Sequence, residues 1–292
     1  MEKKRARDTH KGRRYWKEDI QVNAIVSDLR LYRRLIAMQV RAQIQYKINV
    51  VVDVVTYLSV TGLEFLTMLI YFVQFPTMLG WHIGEVAMLA AVTSFSFGLA
   101  ELFGGGIDVF DETIRKGDFD RVLLRPIGAL ILVASSEFRL RRLGRLTQGV
   151  LAFMVSLALL HSINWTPLKL LALLLGIISG ALMFVSILLM GATMCFWTVQ
   201  TTELTSILYY GGREMLSYPI TIYHQALQRI LLFAVPLAFG SYLPTCYLLN
   251  RALPFDLPIW VVFLSPFVAL AFASVAVWLW GFGIRHYQST GS

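Results

Sequence analysis

Residues 168–199 stay apolar for longer than a soluble core helix needs. A helix that crosses the hydrocarbon core of a bilayer takes roughly 20 mostly apolar residues. Comparable blocks occupy residues 48–75, 86–106, 144–163 and 258–284. Two further stretches compete for one more span. Residues 202–218 are short and polar at their end, and residues 227–249 are apolar but interrupted by Pro236, Gly240 and Pro244. Either choice makes six spans. Composition agrees, with 57% of the 292 residues hydrophobic and 15% charged, where soluble domains hold about a quarter charged. The alternating segments of about 10 residues that mark barrel strands are absent. The chain is therefore expected to be an all-α membrane protein.

Orientation follows from the basic residues. Of 26 Lys and Arg, 13 precede residue 48 and 8 fall in residues 107–145, while residues 76–85 and 161–167 hold none. Cytoplasmic flanks carry the positive excess. The N-terminus and the loop between spans two and three are thus expected in the cytoplasm, and six spans return the C-terminus there. The net charge of +8 is a topology signal and points to no nucleic acid, because it is divided among membrane-flanking segments. The opening "MEKKRARDTHKGRRYWKEDI" is basic and polar, and no short apolar core with a small-residue cleavage site follows, so no secretory signal is expected. Cys195 and Cys246 lie apart without metal-ligand spacing and are read as packing residues.

From Ser27, "SDLRLYRRLIAMQVRAQIQYK" reads as a helix begun by a Ser cap. Leu29, Tyr32, Ile36, Val40 and Ile44 form one apolar stripe, with Arg30, Arg34 and Arg41 on another face. That pattern predicts an amphipathic helix lying along the membrane surface.

The segment between spans two and three is unusual because charge is concentrated there. "DVFDETIRK" predicts about two helical turns, Gly117 interrupts, and "DFDRVLLRP" predicts a second short helix that Pro126 ends. Asp118 and Asp120 near its start suit the positive end of the helix dipole. Val122, Leu123 and Leu124 give it an apolar face. A short helix with both signs of charge and exposed Leu suits docking in another protein's groove. A plain helix–helix connection needs only about 2–8 residues.

The run "IRKGDFDRVLLRPIGAL" resembles the G-x-(L/F)-D-x-x-L-L-R-P signature of ABC-2-type permeases. It is most similar to the bacterial branch with two related six-span permeases and a separate ATPase. The amphipathic helix before span one, the proline-punctuated "SYPITIYHQAL…VPLAFGSYLP" and the ending "WGFGIRHYQSTGS" follow in the same order. The resemblance implies an N-terminal segment over residues 1–47, a six-span permease domain over 48–284 and a cytoplasmic tail over 285–292. It implies that residues 107–143 form the cytoplasmic coupling loop. Within it Glu112, Arg115, Gly117, Asp118, Asp120, Arg121, Leu123, Leu124, Arg125 and Pro126 would contact the ATPase. It also implies that residues 202–218 are span five and 219–257 an external or re-entrant region of short helices. Arg213 and Glu214 depart from this pattern, since ions in lipid cost roughly 3 kcal/mol or more.

Further chemistry is sparse. There is no GxxxxGK[ST], so the chain lacks a P-loop grip on ATP. Gly104–Gly106 is read as the end of span two. His10, His82, His161, His224 and His286 are dispersed, and no HExxH or GxSxG occurs. The informative ions are Asp53, Glu64 and Glu101. Asp53 and Glu64 lie 11 residues apart, nearly three full turns, and so share a helix face. Such acids face a protein interior or a wet cavity and are candidates for a substrate path.

The expected function is the permease subunit of an ATP-driven exporter in a bacterial cytoplasmic membrane. The chain itself would catalyse nothing and bind no cofactor. ATP and Mg would sit on a dimeric cytosolic ATPase, and the path would need a second, related permease within the surrounding lipid. The competing readings are a non-transporting scaffold or assembly protein and a secondary transporter, the latter expected to show repeated halves with broken helices.

Overall fold

In lipid, backbone polar groups have no water to meet, so apolar runs satisfy them internally as helices. The computed structural model describes residues 30–160, 163–198 and 202–287. The expected Ser27 cap and the final residues of the C-terminal ending lie outside them. Residues 30–45 are helical (α1), with Arg30, Arg34 and Arg41 exposed and Tyr32, Ile36 and Val40 half-buried, as the stripe predicts, whereas Ile44 at its end is exposed. Helix α2 (Lys47–Gln74) follows. A two-stranded hairpin, Thr77–Met78 with Trp81–His82, leads into α3 (Ile83–Phe103). Its turn residues Leu79 and Gly80 both have positive φ, +47° and +79°, which matches the twist of a tight hairpin.

Four short helices connect α3 to the next long one: α4 (Gly105–Asp108), α5 (Phe110–Arg115), α6 (Phe119–Leu123) and α7 (Ala129–Ala134). Helix α8 (Leu143–Leu159) and α9 (Pro167–Met194) come next. Thr166 caps α9 by accepting from the Lys169 amide, and Pro167 occupies the first turn, where its missing N–H costs nothing. Span four therefore stops at Met194, short of the expected residue 199. The helix over residues 202–216 is built from α10 (Thr202–Ser206), a π-helical turn (Ile207–Gly211) and α11 (Gly212–Leu216). After α12 (Gln225–Arg229) and α13 (Tyr242–Leu248), 3-10 turns lead to α14 (Ser265–His286).

Helix α3 is the central post. Nearly all of it is buried, between α8 and α9, and α14 packs on the far side of α9. Helix α2 stands outside against α8, and only Met68 and Phe72 are buried among its described side chains. Among the described residues, four helices are long and apolar enough to cross a membrane: Val50–Gln74, Ile83–Phe103, Pro167–Met194 and Ile259–His286. The pair Gln225–Ala234 and Leu237–Leu248 would make a fifth if it counts as one element, but it bends by 77°. Helix α8, at 17 residues, reaches about 26 Å.

Contacts fix the height of the irregular region. The Thr93 hydroxyl, at the midpoint of α3, donates to the Leu216 carbonyl at 2.9 Å. The helix over residues 202–216 thus ends level with the middle of the bundle. Gly240, in the bent pair, lies against Gly180 at the midpoint of α9. Just beyond α13, Lys169 at the start of α9 donates to the Leu248 carbonyl at 3.0 Å and to Asn250 at 2.8 Å. Arg251 meets Glu85 at the start of α3, and its guanidinium lies 4.9 Å from the Trp81 ring. The bent pair therefore reaches from that end of the bundle down to its middle.

The Glu85–Arg251 pair ties the hairpin and α3 to the chain after α13. Glu85→Gln and Arg251→Gln should each lower thermal stability in detergent. The double variant should lose less than the sum, with a coupling of about 2 kcal/mol. Additive losses would show that the two ends are held together by something else.

Candidate functional site

Two constructions stand out, and they meet at the end of the bundle where α3 finishes. The first is the α5–α6 element. Helix α5 ends in a reversal whose central residue is Gly117, at φ +70°. The Gly117 amide donates to the Ile114 carbonyl at 3.0 Å and the Asp118 amide to the Thr113 carbonyl at 3.1 Å. This is the paired closure that favours glycine at a helix C-terminus. Helix α6 starts immediately after and runs back over the same base.

That base is aromatic. Phe110 of α5 and Phe119 of α6 are fully buried, with ring centroids 5.2 Å apart. Phe110 meets Trp280 of α14 at 5.0 Å. Phe119 meets Phe196, just after α9, at 5.4 Å and Tyr287, just after α14, at 5.0 Å. Aromatic pairs of this kind, edge-to-face except for the tilted Phe119–Phe196, contribute about 0.5–1.5 kcal/mol each beyond area burial. The short helices are thus seated on the ends of α9 and α14.

The opposite face is polar and open. Lys116 pairs with Glu112 at 3.0 Å and Arg121 with Asp118 at 3.4 Å, all four side chains at least half exposed or nearly so. Lys116 holds the Glu112 carboxyl below its usual range. Exposed pairs like these contribute roughly 0–1 kcal/mol, so displacing them costs little. Leu124 is 85% exposed, Leu123 is exposed beside it, and so are Arg115, Arg125 and Pro126. Val122 turns inward, which divides the expected apolar face: Val122 packs on the core while Leu123 and Leu124 project. Asp118 and Asp120 are half-buried.

The second construction is a line of ion pairs threading five helices. Arg213 of α11, near mid-bundle, donates to Glu64 of α2 at 2.6 Å. Arg145 of α8 donates to the same carboxylate oxygen at 3.0 Å and lies 3.6 Å from Glu101 of α3. The Tyr57 hydroxyl donates to Glu101 at 2.8 Å. Arg142 donates to the Glu101 carbonyl at 2.7 Å and to the Asp108 carboxylate of α4 at 3.0 Å. Burial raises the Asp108 carboxyl above its usual range, against the pull of Arg142. Phe97 flanks the line, with the Arg145 and Arg213 guanidinium groups 5.5 and 5.6 Å from its ring centre. Three arginines face three carboxylates here, and Glu214, half exposed, adds a fourth at the Arg213 end.

Of the three acids singled out from sequence, Glu64 and Glu101 therefore come together through Arg145. Asp53, on α2, is exposed and forms no ion pair with a described residue. Of the pair Arg213 and Glu214, an anomaly in an apolar segment, Arg213 is met by Glu64, and Glu214, half exposed, is met by Arg213. Sequence reasoning missed Arg142 and Arg145, which counted only as topology signals, and the aromatic base of Phe110, Phe119 and Trp280. Gly104 ends α3 as read. Gly106 has a separate reason, because a Cβ there would collide with the Val133 carbonyl of α7.

Glu64 is the shared acceptor for two arginines, so its charge should matter to folding. Glu64→Gln should cost about 1–3 kcal/mol of thermal stability, the lower end of what breaking a buried pair costs because Glu64 is partly exposed. Asp53→Asn should stay within about 0.5 kcal/mol of the parent. Equal melting of both variants with the parent would remove the line of ion pairs as a structural element.

A family model described as ABC-2 family transporter protein matches residues 58–291. No curated protein and no solved structure gives a match. The matched stretch takes in the α5–α6 element, its aromatic base and every arginine and carboxylate of the ion-pair line. It covers most of the chain, and so this protein belongs to the ABC-2 transporter family, as a membrane transport component with no catalytic role of its own.

Proposed function

We propose that the chain is the permease subunit of an ATP-driven exporter in a bacterial cytoplasmic membrane. Members of this family work with an ATPase subunit. The observation that supports its placement here is the α5–α6 element: sealed below on Phe196, Trp280 and Tyr287, and open above with mixed charge around Leu124. Rim charges orient a docking partner while a buried apolar anchor supplies most of the affinity. ATP and Mg belong to a dimeric cytosolic subunit. When its halves close, they press on α5 and α6. Because both rest on the ends of α9 and α14, the push passes to those helices. A second permease, related to this one, completes the path across the membrane.

In this reading the N-terminus, the α5–α6 element and the C-terminus face the cytoplasm, and the start of α9 faces outside. There are six spans. Residues 202–218 form the fifth, and residues 219–257, which hold the bent pair Gln225–Ala234 and Leu237–Leu248, are a re-entrant region on the outer side. Glu64 and Glu101 line the inner part of the path, and their arginine partners set its charge. Single cysteines at Thr77 and Asn164 should label from outside intact cells, and one at Lys116 should not. Labelling of Lys116→Cys from outside would reverse the orientation and remove the coupling argument.

The coupling assignment has its own test. Arg121→Glu with Leu124→Asp changes two exposed side chains and leaves Phe110 and Phe119 seated. Removing an apolar anchor at an interface centre costs about 2 kcal/mol or more. The double variant should insert normally yet retain its ATPase at least about tenfold less well on copurification. Transport-stimulated ATP hydrolysis should fall in proportion. Unchanged copurification would place the ATPase contact elsewhere.

A further inference from the structure

Alongside the first turns of α1 runs a groove of about 720 Å3. Ligand pockets generally fall between about 300 and 1,000 Å3, with apolar walls and a few placed polar groups. Tyr32 and Ile36 of α1 form one wall. Leu102 and Phe103, closing α3, form the floor with Phe138 and Leu143. Phe103 is 51% and Leu143 42% exposed, so these apolar surfaces are uncovered by the chain itself. Arg30 and Arg33 complete the lining, both exposed. Neither pairs with a carboxylate among the described residues.

The groove is built and held. Gln39 donates to the Ser135 carbonyl at 2.7 Å and accepts from the Phe138 amide. One turn on, Gln43 donates to the Phe138 carbonyl and accepts from the Leu140 amide at 3.0 Å. Each amide side chain thus bonds the 135–140 backbone through both its oxygen and its nitrogen. Tyr32 adds a hydrogen bond to the Phe103 carbonyl at 3.3 Å. Helix α1 is fixed at a set distance from the end of α3.

We propose that this groove binds an anionic phospholipid, with one acyl chain along Ile36, Phe103 and Leu143 and the phosphate at Arg30 and Arg33. The site lies where α3 ends and an amphipathic helix begins, which is the depth at which headgroups meet acyl chains. The paired cations select the lipid's charge. A zwitterionic lipid would fill the apolar part but leave both guanidinium groups without a net counter-charge. The chain's own leader is a poor occupant, because residues 1–29 carry eight Lys or Arg against five Asp or Glu. Such a lipid would splint α1 to the helix that carries Glu101. This assignment does not rest on the exporter reading.

The test uses the full chain in lipid nanodiscs containing phosphatidylglycerol or phosphatidylcholine with a photoreactive acyl chain. Phosphatidylglycerol should label peptides containing residues 30–36 and 102–103 more than phosphatidylcholine does. A basic residue near an anionic headgroup is worth roughly a fivefold preference. Arg30→Gln with Arg33→Gln should therefore cut phosphatidylglycerol labelling there by roughly tenfold or more, with phosphatidylcholine labelling unchanged. Ile36→Trp, which leaves both arginines in place, should fill the groove and reduce both labels there while sparing the exposed face of α2. Equal labelling by the two lipids in the parent protein would overturn the proposal. So would arginine variants that label like the parent, or cross-linking of residues 1–29 into the groove.

Discussion

Burying a guanidinium among membrane helices costs several kcal/mol unless a carboxylate meets it, and the side chains of Arg142, Arg145 and Arg213 are each less than a tenth exposed. That cost dictates much of the arrangement. Glu64 comes to α8 and α11 because its carboxylate is the acceptor that Arg145 and Arg213 share, and this brings the otherwise loosely packed α2 onto the bundle. Glu101 must stay near the end of α3 because Arg145 needs a second carboxylate and Arg142 needs its carbonyl. Asp108 then holds Arg142 from α4, the first turn of the segment that leads to α5 and α6. Pairing of charge, more than apolar area, sets the position of α2 relative to α3, since apolar surface gains little by leaving lipid for protein.

The aromatic base works by a different rule. Phe110 and Phe119 belong to helices of six and five residues, too short to be stable alone. Their helicity depends on the rings being held by Phe196, Trp280 and Tyr287. The same contacts that make α5 and α6 fold also fix them to α9 and α14. A rigid, short, charged element with an apolar point is thus obtained without a separate domain.

The four helices long and apolar enough to cross a membrane were legible because lipid imposes one strong signal, a long apolar run, and each starts and stops within about five residues of such a run. Gly117 was legible because a positive φ at a helix end is nearly glycine's own. The ion-pair line was not. Its members lie at positions 64, 101, 108, 142, 145 and 213, and periodicity within one helix says nothing about which helix lies opposite. Helical spacing correctly placed Asp53 and Glu64 on nearly the same face, yet only Glu64 lies at the height where arginines wait. The aromatic base escaped notice for a related reason, because helices of five or six residues contain too few turns to show a stripe. The bend near Pro236 could be read as an interruption, but the return to the same end of the bundle depends on Gly240 meeting Gly180, a contact 60 residues distant in sequence.

The two constructions differ in how they respond to force, and the magnitudes indicate which one resists it. Aromatic pairs at about 0.5–1.5 kcal/mol each tolerate sliding, because a ring that leaves one edge finds another. An ion pair between buried groups is directional, and opening it without replacement costs about 3–5 kcal/mol. Moving a two-state equilibrium from 1:99 to 99:1 takes about 5.5 kcal/mol. Opening two of the pairs together is therefore comparable to a complete switch of state, with the partly exposed Glu64 contributing the least. A push on α5 and α6 that travels through the rings to α9 and α14 leaves the pairs intact as long as α2, α3, α8 and α11 move as one body. Any motion that separates α2 from α8 must break Glu64 from Arg145. The line of charge thus divides the molecule into a group of four helices that favour moving together and a pair, α9 and α14, against which α5 and α6 rest.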